Sequence, residues 1–225
     1  MTEVHLKNQT SDGAILRATF LPEDGMNLKS FKRNNIEVIE QSTINLFTER
    51  KAGLGALIGP HFHQQDYVAK ELNDSIFPHI ALSKKQGRKD PLSHGIARYV
   101  PWNYQASTTQ IKAKLTGRDS YKGIPLKTFE GQDFILTFEA RLLSDGLTIK
   151  YCVESEKPSV IGLHYYYRFQ ETGLIHGHFE NLFRDQNQWI EIPKKWKKNG
   201  DNSLLNIKLP QALDYGFVPH RKDFH

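Results

Sequence analysis

The stretch Val160–Phe169, VIGLHYYYRF, sets the reading of the whole chain. His164 lies between an apolar run (Val160, Ile161, Leu163) and three consecutive tyrosines. Side chains alternate across a strand, so His164, Tyr166 and Arg168 share one face, and Leu163, Tyr165, Tyr167 and Phe169 share the other. One face packs, while the other offers an imidazole, a phenol and a guanidinium. A lone histidine in a strand is by default a packed structural residue. It becomes a site only if other parts of the chain bring partners to it.

Outward from this stretch, the chain reads as short strands broken by turns. Ala14–Phe20 is rich in strand formers, and the PEDG segment at Pro22–Gly25 signals a turn. Leu28–Phe31 and Ile36–Ile39 alternate around Asn34–Asn35 as a hairpin does. Gly53–Pro60 (GLGALIGP) is apolar and punctuated by glycine, which predicts backbone packed closely in a core or against a ligand. Residues 77–93 turn polar and basic and read as an exposed loop. Thr108–Leu115, Phe134–Ala140 and Leu147–Val153 return to alternation, and Ser144–Gly146 is a good hairpin connector. Gly173–Phe179 and Leu204–Leu209 are the last strand-like segments. Asp66–Asn73 is the one short helix candidate. About eleven short strands at regular spacing predict an all-β fold, a large antiparallel β-sandwich or barrel.

Composition agrees. A chain of 225 residues is within reach of a single all-β domain, and no linker divides residues 1–225, so one domain is expected. Contents of 38% hydrophobic and 24% charged residues are those of an ordinary globular protein. No apolar run approaches a membrane span, and the N-terminus lacks the layout of a signal peptide. One cysteine, Cys152, excludes an internal disulfide and a multi-cysteine metal site; together these predict a cytoplasmic protein. The net charge of +5 comes in short clusters such as Lys84–Lys85. Nucleic-acid binders carry a denser stripe and a recognisable module, so no nucleic-acid partner is expected. The clusters read as solvated loops, or as attraction for an anionic substrate.

Two kinds of site are open on the residues alone. His61 and His63, and His176 and His178, have a spacing that puts each pair on one face of an extended strand, where two pairs suffice for a transition metal. The carboxylates that such a site needs are poorly spaced. The second candidate is the polar island His94-Gly-Ile-Ala-Arg98, followed by Trp102. Fixed donors beside an aromatic ring suit a sugar, whose hydroxyls need hydrogen bonds and whose C–H faces stack on rings. The plain alternative is Arg98 paired with a carboxylate and Trp102 in the core. No nucleophile elbow and no phosphate-cradling glycine loop occurs. Acid–base chemistry by histidine and carboxylate remains.

Several stretches taken together resemble the galactose mutarotase-like family, the aldose 1-epimerases and their glucose-6-phosphate 1-epimerase relatives. FLPEDGMNLKSFKRNNIEVI (Phe20–Ile39) is similar to that family's opening hairpin, and GALIGPHF (Gly55–Phe62) to its glycine-rich segment. DPLSHGIARYVPW (Asp90–Trp102) resembles its His-Gly-Phe-Ala-Arg motif, FEARLLSDGLTIKYCVE (Phe138–Glu154) its long hairpin, and VIGLHYYYRF its histidine-bearing strand. Leu213–Phe217 resembles an Asp-x-x-Phe segment that binds sugar hydroxyls. The resemblance implies a supersandwich and interconversion of the α and β anomers of a hexose or hexose phosphate, without a cofactor. It implies that His164 is the acid, that His94 holds substrate hydroxyls, and that Asp214 anchors them, with Arg98, His63 and Trp102 as further substrate contacts.

Two departures accompany it. The family's base is a glutamate beyond the Asp-x-x-Phe segment, and His225 stands eleven residues after Asp214. The expectation is a chain short of its C-terminal strands, whose exposed sheet edge invites an oligomer; the alternatives are a carbohydrate-binding relative without turnover and another carboxylate in the place of the base. Gly53–Leu54 also stands where phosphosugar members carry an arginine, with Arg50 nearby.

Overall fold

The computed structural model describes residues 2–70, 72–85, 87, 92–168, 173–176, 179–185, 188–194, 204–207 and 215–219. Contacts divide the chain into two compact units, residues 1–168 and 169–225, and each is described by itself.

The first unit is a two-layer sandwich. Its strands are β1 (Val4–Gln9), β2 (Ile15–Leu21), β3 (Asn27–Arg33), β4 (Ile36–Glu37), β5 (Gly55–Ile58), β6 (Asn103–Ala106), β7 (Gln110–Thr116), β8 (Ser120–Tyr121), β9 (Ile124–Pro125), β10 (Phe134–Leu142), β11 (Leu147–Ser155) and β12 (Gly162–Tyr165). One sheet runs β1-β2-β3-β5-β12, with β4 added to β3; the other runs β11-β10-β7-β6, and the pairings are antiparallel. Period-two alternation builds the interface between them. Phe134, Leu136, Phe138, Ala140 and Leu142 of β10 are buried while their neighbours are not, and Leu16, Ala18 and Phe20 answer from β2. The Phe20 and Phe138 rings meet edge-on at 5.8 Å, a geometry that adds to their area burial. At the rim, Asn8 Nδ2 donates to the carbonyl of Leu142 at 2.7 Å.

The turns follow their residues. Asn34 takes the left-handed conformation (φ 52°), and Arg33 pairs with Ile36 across the two-residue loop that the Asn34–Asn35 pair predicts. Leu142 pairs with Leu147 around the Ser144–Gly146 connector. Central β5 is buried along its length, as its apolar, glycine-punctuated sequence requires.

Two local expectations are corrected. Residues 77–93 are not simply an exposed loop: Phe77 and Ile80 are buried, and a helix, α2 (His79–Lys85), starts beside them. Phe77 packs on Phe129 and Tyr121 at 5.2 and 5.3 Å, and with Ile80 and Leu92, also buried, it pins an otherwise polar segment. Asp66–Asn73 forms no helix among its described residues, and the other short helices are α1 (Ile44–Arg50) and α3 (Leu126–Glu130). β1 escapes a pattern search because Leu6 is its one buried residue; an outer strand can be polar on most positions and still pair.

In the second unit, β13 (Gly173–His176) pairs with β16 (Leu204–Ile207). β14 (Phe179–Asp185) lies between β15 (Gln188–Glu191) and β17 (Tyr215–Pro219), all antiparallel. Phe183 and Ile192 are buried. Among the described residues, no helix is long and apolar enough to cross a membrane.

Candidate functional site

β12 carries His164 against the middle of β5, opposite Ala56. The chain stays extended beyond β12: Tyr166 N–H donates to Leu54 O at 2.8 Å and Arg168 N–H to Val38 O at 2.7 Å, with Tyr167 bridged to Ile39. Alternation holds across this stretch. The His164 and Tyr166 rings lie 5.1 Å apart on one face, and Tyr165 and Tyr167 meet at 6.2 Å on the other. Tyr165 packs against the core, whereas Leu163 and Tyr167 are 42% and 51% exposed, so that second face packs only in part.

The fold brings His94 close to His164. Their ring centroids are 5.5 Å apart, and the Phe62 ring stacks on His94 at 4.4 Å. His94 sits in a tight turn with φ +69°, followed by Gly95 at φ +83°. A left-handed histidine is uncommon and persists only where its surroundings hold it. Here the Phe62 carbonyl does so, accepting from the His94 backbone N–H at 3.1 Å and from Nδ1 at 3.0 Å. Because a carbonyl only accepts, the His94 proton resides on Nδ1, and Nε2 presents a lone pair. Burial, aided by the charge of Arg98, pushes the His94 pKa down to about 4 against the pull of that carbonyl. His94 is therefore a neutral acceptor at neutral pH.

A 3₁₀ turn over Ile96–Arg98 follows. Arg98 is 4% exposed, and no salt bridge ties it to a carboxylate among the described residues. Nε donates to Leu57 O at 3.1 Å, while Nη2 is buried without a partner. A buried guanidinium donor left unsatisfied is costly, and burial holds the Arg98 pKa below its ordinary value. Arg98 thus keeps one donor beyond its bond to Leu57 O.

The remaining expectations divide. His63 is exposed, with its ring 4.5 Å from Phe62, and its charge is among those that depress the His94 pKa. Trp102 is 3% exposed, and its indole N–H donates to Ala97 O at 2.9 Å. It holds the turn that carries Arg98 instead of presenting a stacking face. Asp214 lies outside the described residues, as does His178. His61 does not share a face with His63: it is buried and bonded through Nδ1 to Glu130 Oε2 at 2.8 Å. Among the described residues, no group of three or more His, Cys, Asp or Glu is placed to hold a metal ion.

The pattern reading missed Glu130 altogether. It ends a five-residue helix, too short for any periodicity to declare, and its partner His61 is 69 positions away in the chain. Tyr151, also missed, is an inward residue of β11 with a buried, unpartnered hydroxyl. Burial, then the charge of Glu130, raises its pKa, and Arg98 opposes them.

The fold is similar to that of galactose mutarotase-related proteins. Similar solved structures are a protein from Synechocystis (TM-score 0.58, 16% identity, over 85% of this chain and 64% of that one) and a galactose mutarotase related enzyme from Lactobacillus acidophilus (0.56, 11%, 92% and 65%). A galactose mutarotase-like protein from Clostridium acetobutylicum is similar too (0.52, 12%, 85% and 66%). The chain thus spans somewhat less than two thirds of the length of these structures. The sequence matches no family model and no curated protein.

Proposed function

We propose that the protein is a mutarotase-like isomerase that interconverts the α and β anomers of a hexose or hexose phosphate. The observation that carries this reading is the pairing of His164 with His94 at 5.5 Å beside a buried arginine whose Nη2 has no partner. Anomerisation needs a proton delivered to the ring oxygen and a proton removed from the anomeric hydroxyl. The C1–O5 bond then breaks, the aldehyde rotates about C1–C2, and closure on the other face returns both protons. Imidazole suits the acid, since its unperturbed pKa of about 6.5 lets it hold and release a proton near neutrality. His164 takes that role. His94, neutral with its proton fixed on Nδ1, accepts a hydrogen bond from a sugar hydroxyl, and Arg98 donates to a hydroxyl or phosphate oxygen. Asp214 is proposed as a hydroxyl anchor. General acid–base assistance of this kind contributes about 10²–10⁴-fold.

A second reading, carbohydrate binding without turnover, is favoured by one observation. Both oxygens of Glu130, the buried carboxylate beside this site, are already occupied, by His61 and by the Ile96 amide. Polarimetry of glucose, galactose and glucose-6-phosphate separates the two. The isomerase accelerates mutarotation of at least one sugar. The binding protein raises its own unfolding temperature with sugar and accelerates none.

A further inference from the structure

The His61–Glu130 pair has no place in the chemistry above, yet its side chains are 1% and 0% exposed. Burying a carboxylate is expensive, and a buried pair adds little net stability over apolar residues of the same shape. Three segments meet at this carboxylate. Oε2 accepts from His61 Nδ1 at 2.8 Å, and Oε1 accepts from the Ile96 backbone N–H at 2.8 Å. His61 immediately precedes Phe62, and Ile96 stands midway between His94 and Arg98.

The two segments so bridged are also bonded to each other. Gly59 N–H donates to His94 O at 2.9 Å, Ala97 N–H to Gly59 O at 3.0 Å, and His94 N–H to Phe62 O at 3.1 Å. The last contact belongs to the same carbonyl that fixes the His94 proton on Nδ1. A single carboxylate on α3 thus binds both segments, alongside the backbone bonds that join them directly.

We propose that Glu130 is a positioning residue: through His61 and the Ile96 amide it locks residues 59–62 against residues 94–98, and thereby fixes the orientation and proton position of His94. This rests on the reading of His94 as a group that touches the sugar. A carboxylate retained only for stability would support the fold without governing the imidazole.

The test is imidazole ¹⁵N NMR on the full chain, with anomer-exchange kinetics alongside. The charged and titratable groups that act on His94 are Arg98, His164 and His63, and none of them is altered. Glu130→Gln keeps the side-chain shape but replaces one of the two acceptor oxygens with an NH2 donor. Its expected effects are a rise of at least ~1 unit in the His94 titration midpoint as water reaches the loosened ring, and a fall of about 10–100-fold in kcat with little change in KM. A lower unfolding temperature with the His94 midpoint and kcat unchanged overturns the proposal. If Glu130→Gln does not fold, His61→Gln releases the brace from its other end; an unmoved His94 midpoint there is equally fatal. If the wild type shows no anomer exchange at all, the isomerase reading fails, and the His94 midpoint still decides the positioning.

Discussion

Replacing Gly95 with alanine tests the placement of His94 more severely than any change to the histidine itself. Gly95 has φ +83° and ψ 164°, a region that is essentially glycine-only and strains other residues by about 1–3 kcal/mol. A Cβ there lies 2.0 Å from Gly59 O, 2.2 Å from Gly59 C and 2.9 Å from Pro60 N. These are backbone atoms that no rotamer can move aside. Relief requires the two segments to part by more than about 1 Å. That breaks the hydrogen bonds between Ala97 N–H and Gly59 O and between Gly59 N–H and His94 O, now 3.0 and 2.9 Å. Each buried group left unpaired costs about 1–3 kcal/mol, so the substitution should destabilise the first unit by about 4 kcal/mol or more. Against a typical stability of about 5–15 kcal/mol this is severe. Gly123→Ala is the control, because Gly123 has φ +80° with nothing within 4 Å of its added Cβ and should cost only about 1–2 kcal/mol. Urea unfolding of the two variants, with His94 resonances as the local probe, gives the comparison. Equal costs would refute the contact between Gly59 and Gly95, and with it the placement of His94.

Three further outcomes are expected. His94 should titrate by NMR near pH 4, as its burial dictates. In the window from about pH 6.5 to 4 the unfolded chain takes up a proton that folded His94 refuses, so this residue's contribution to stability is full above about 6.5 and is lost as pH falls toward 4; an NMR midpoint near 6.5 contradicts it. Arg98→Met removes a buried cation that has no carboxylate partner, so the unfolding free energy should change by less than about 2 kcal/mol. Sugar affinity measured by calorimetry should fall at least ~10-fold, and unchanged affinity would remove Arg98 from the site. Phe138→Ala opens the sandwich core beside Phe20 and should cost about 3–5 kcal/mol in urea unfolding. A cost below ~1 kcal/mol would mean that the two sheets do not pack through these rings.

The sheets were legible because their strands alternate strictly. β10 and β7 bury every second residue, and such a pattern has one structural meaning. The hairpin at Asn34 was legible for a different reason, that the turn needs a residue tolerant of positive φ. His94, Arg98 and His164 could be named because polar residues inside apolar stretches stand out. What stayed hidden lies in long-range pairing. That Trp102 would face the core was one of two open readings, decided by the Ala97 carbonyl that its indole reaches. His61-Phe-His63 suggested a shared face on the assumption of an extended strand, and the observed backbone turns there instead. Glu130 carries no local signal, since its meaning comes from the two segments that it joins. Phe77, Ile80 and Leu92 were lost among polar neighbours because the three are too widely spread to show a period.

The central claim, that His164 delivers the proton that opens the sugar ring, is tested most directly by magnetisation exchange between anomeric protons. Wild type and His164→Asn should be compared at equal concentration with glucose, galactose and glucose-6-phosphate. Exchange above the spontaneous rate is expected for at least one sugar, reduced about 10²–10⁴-fold in the variant while the fold is kept. Exchange that matches the spontaneous rate for all three sugars, or that survives the substitution intact, contradicts it.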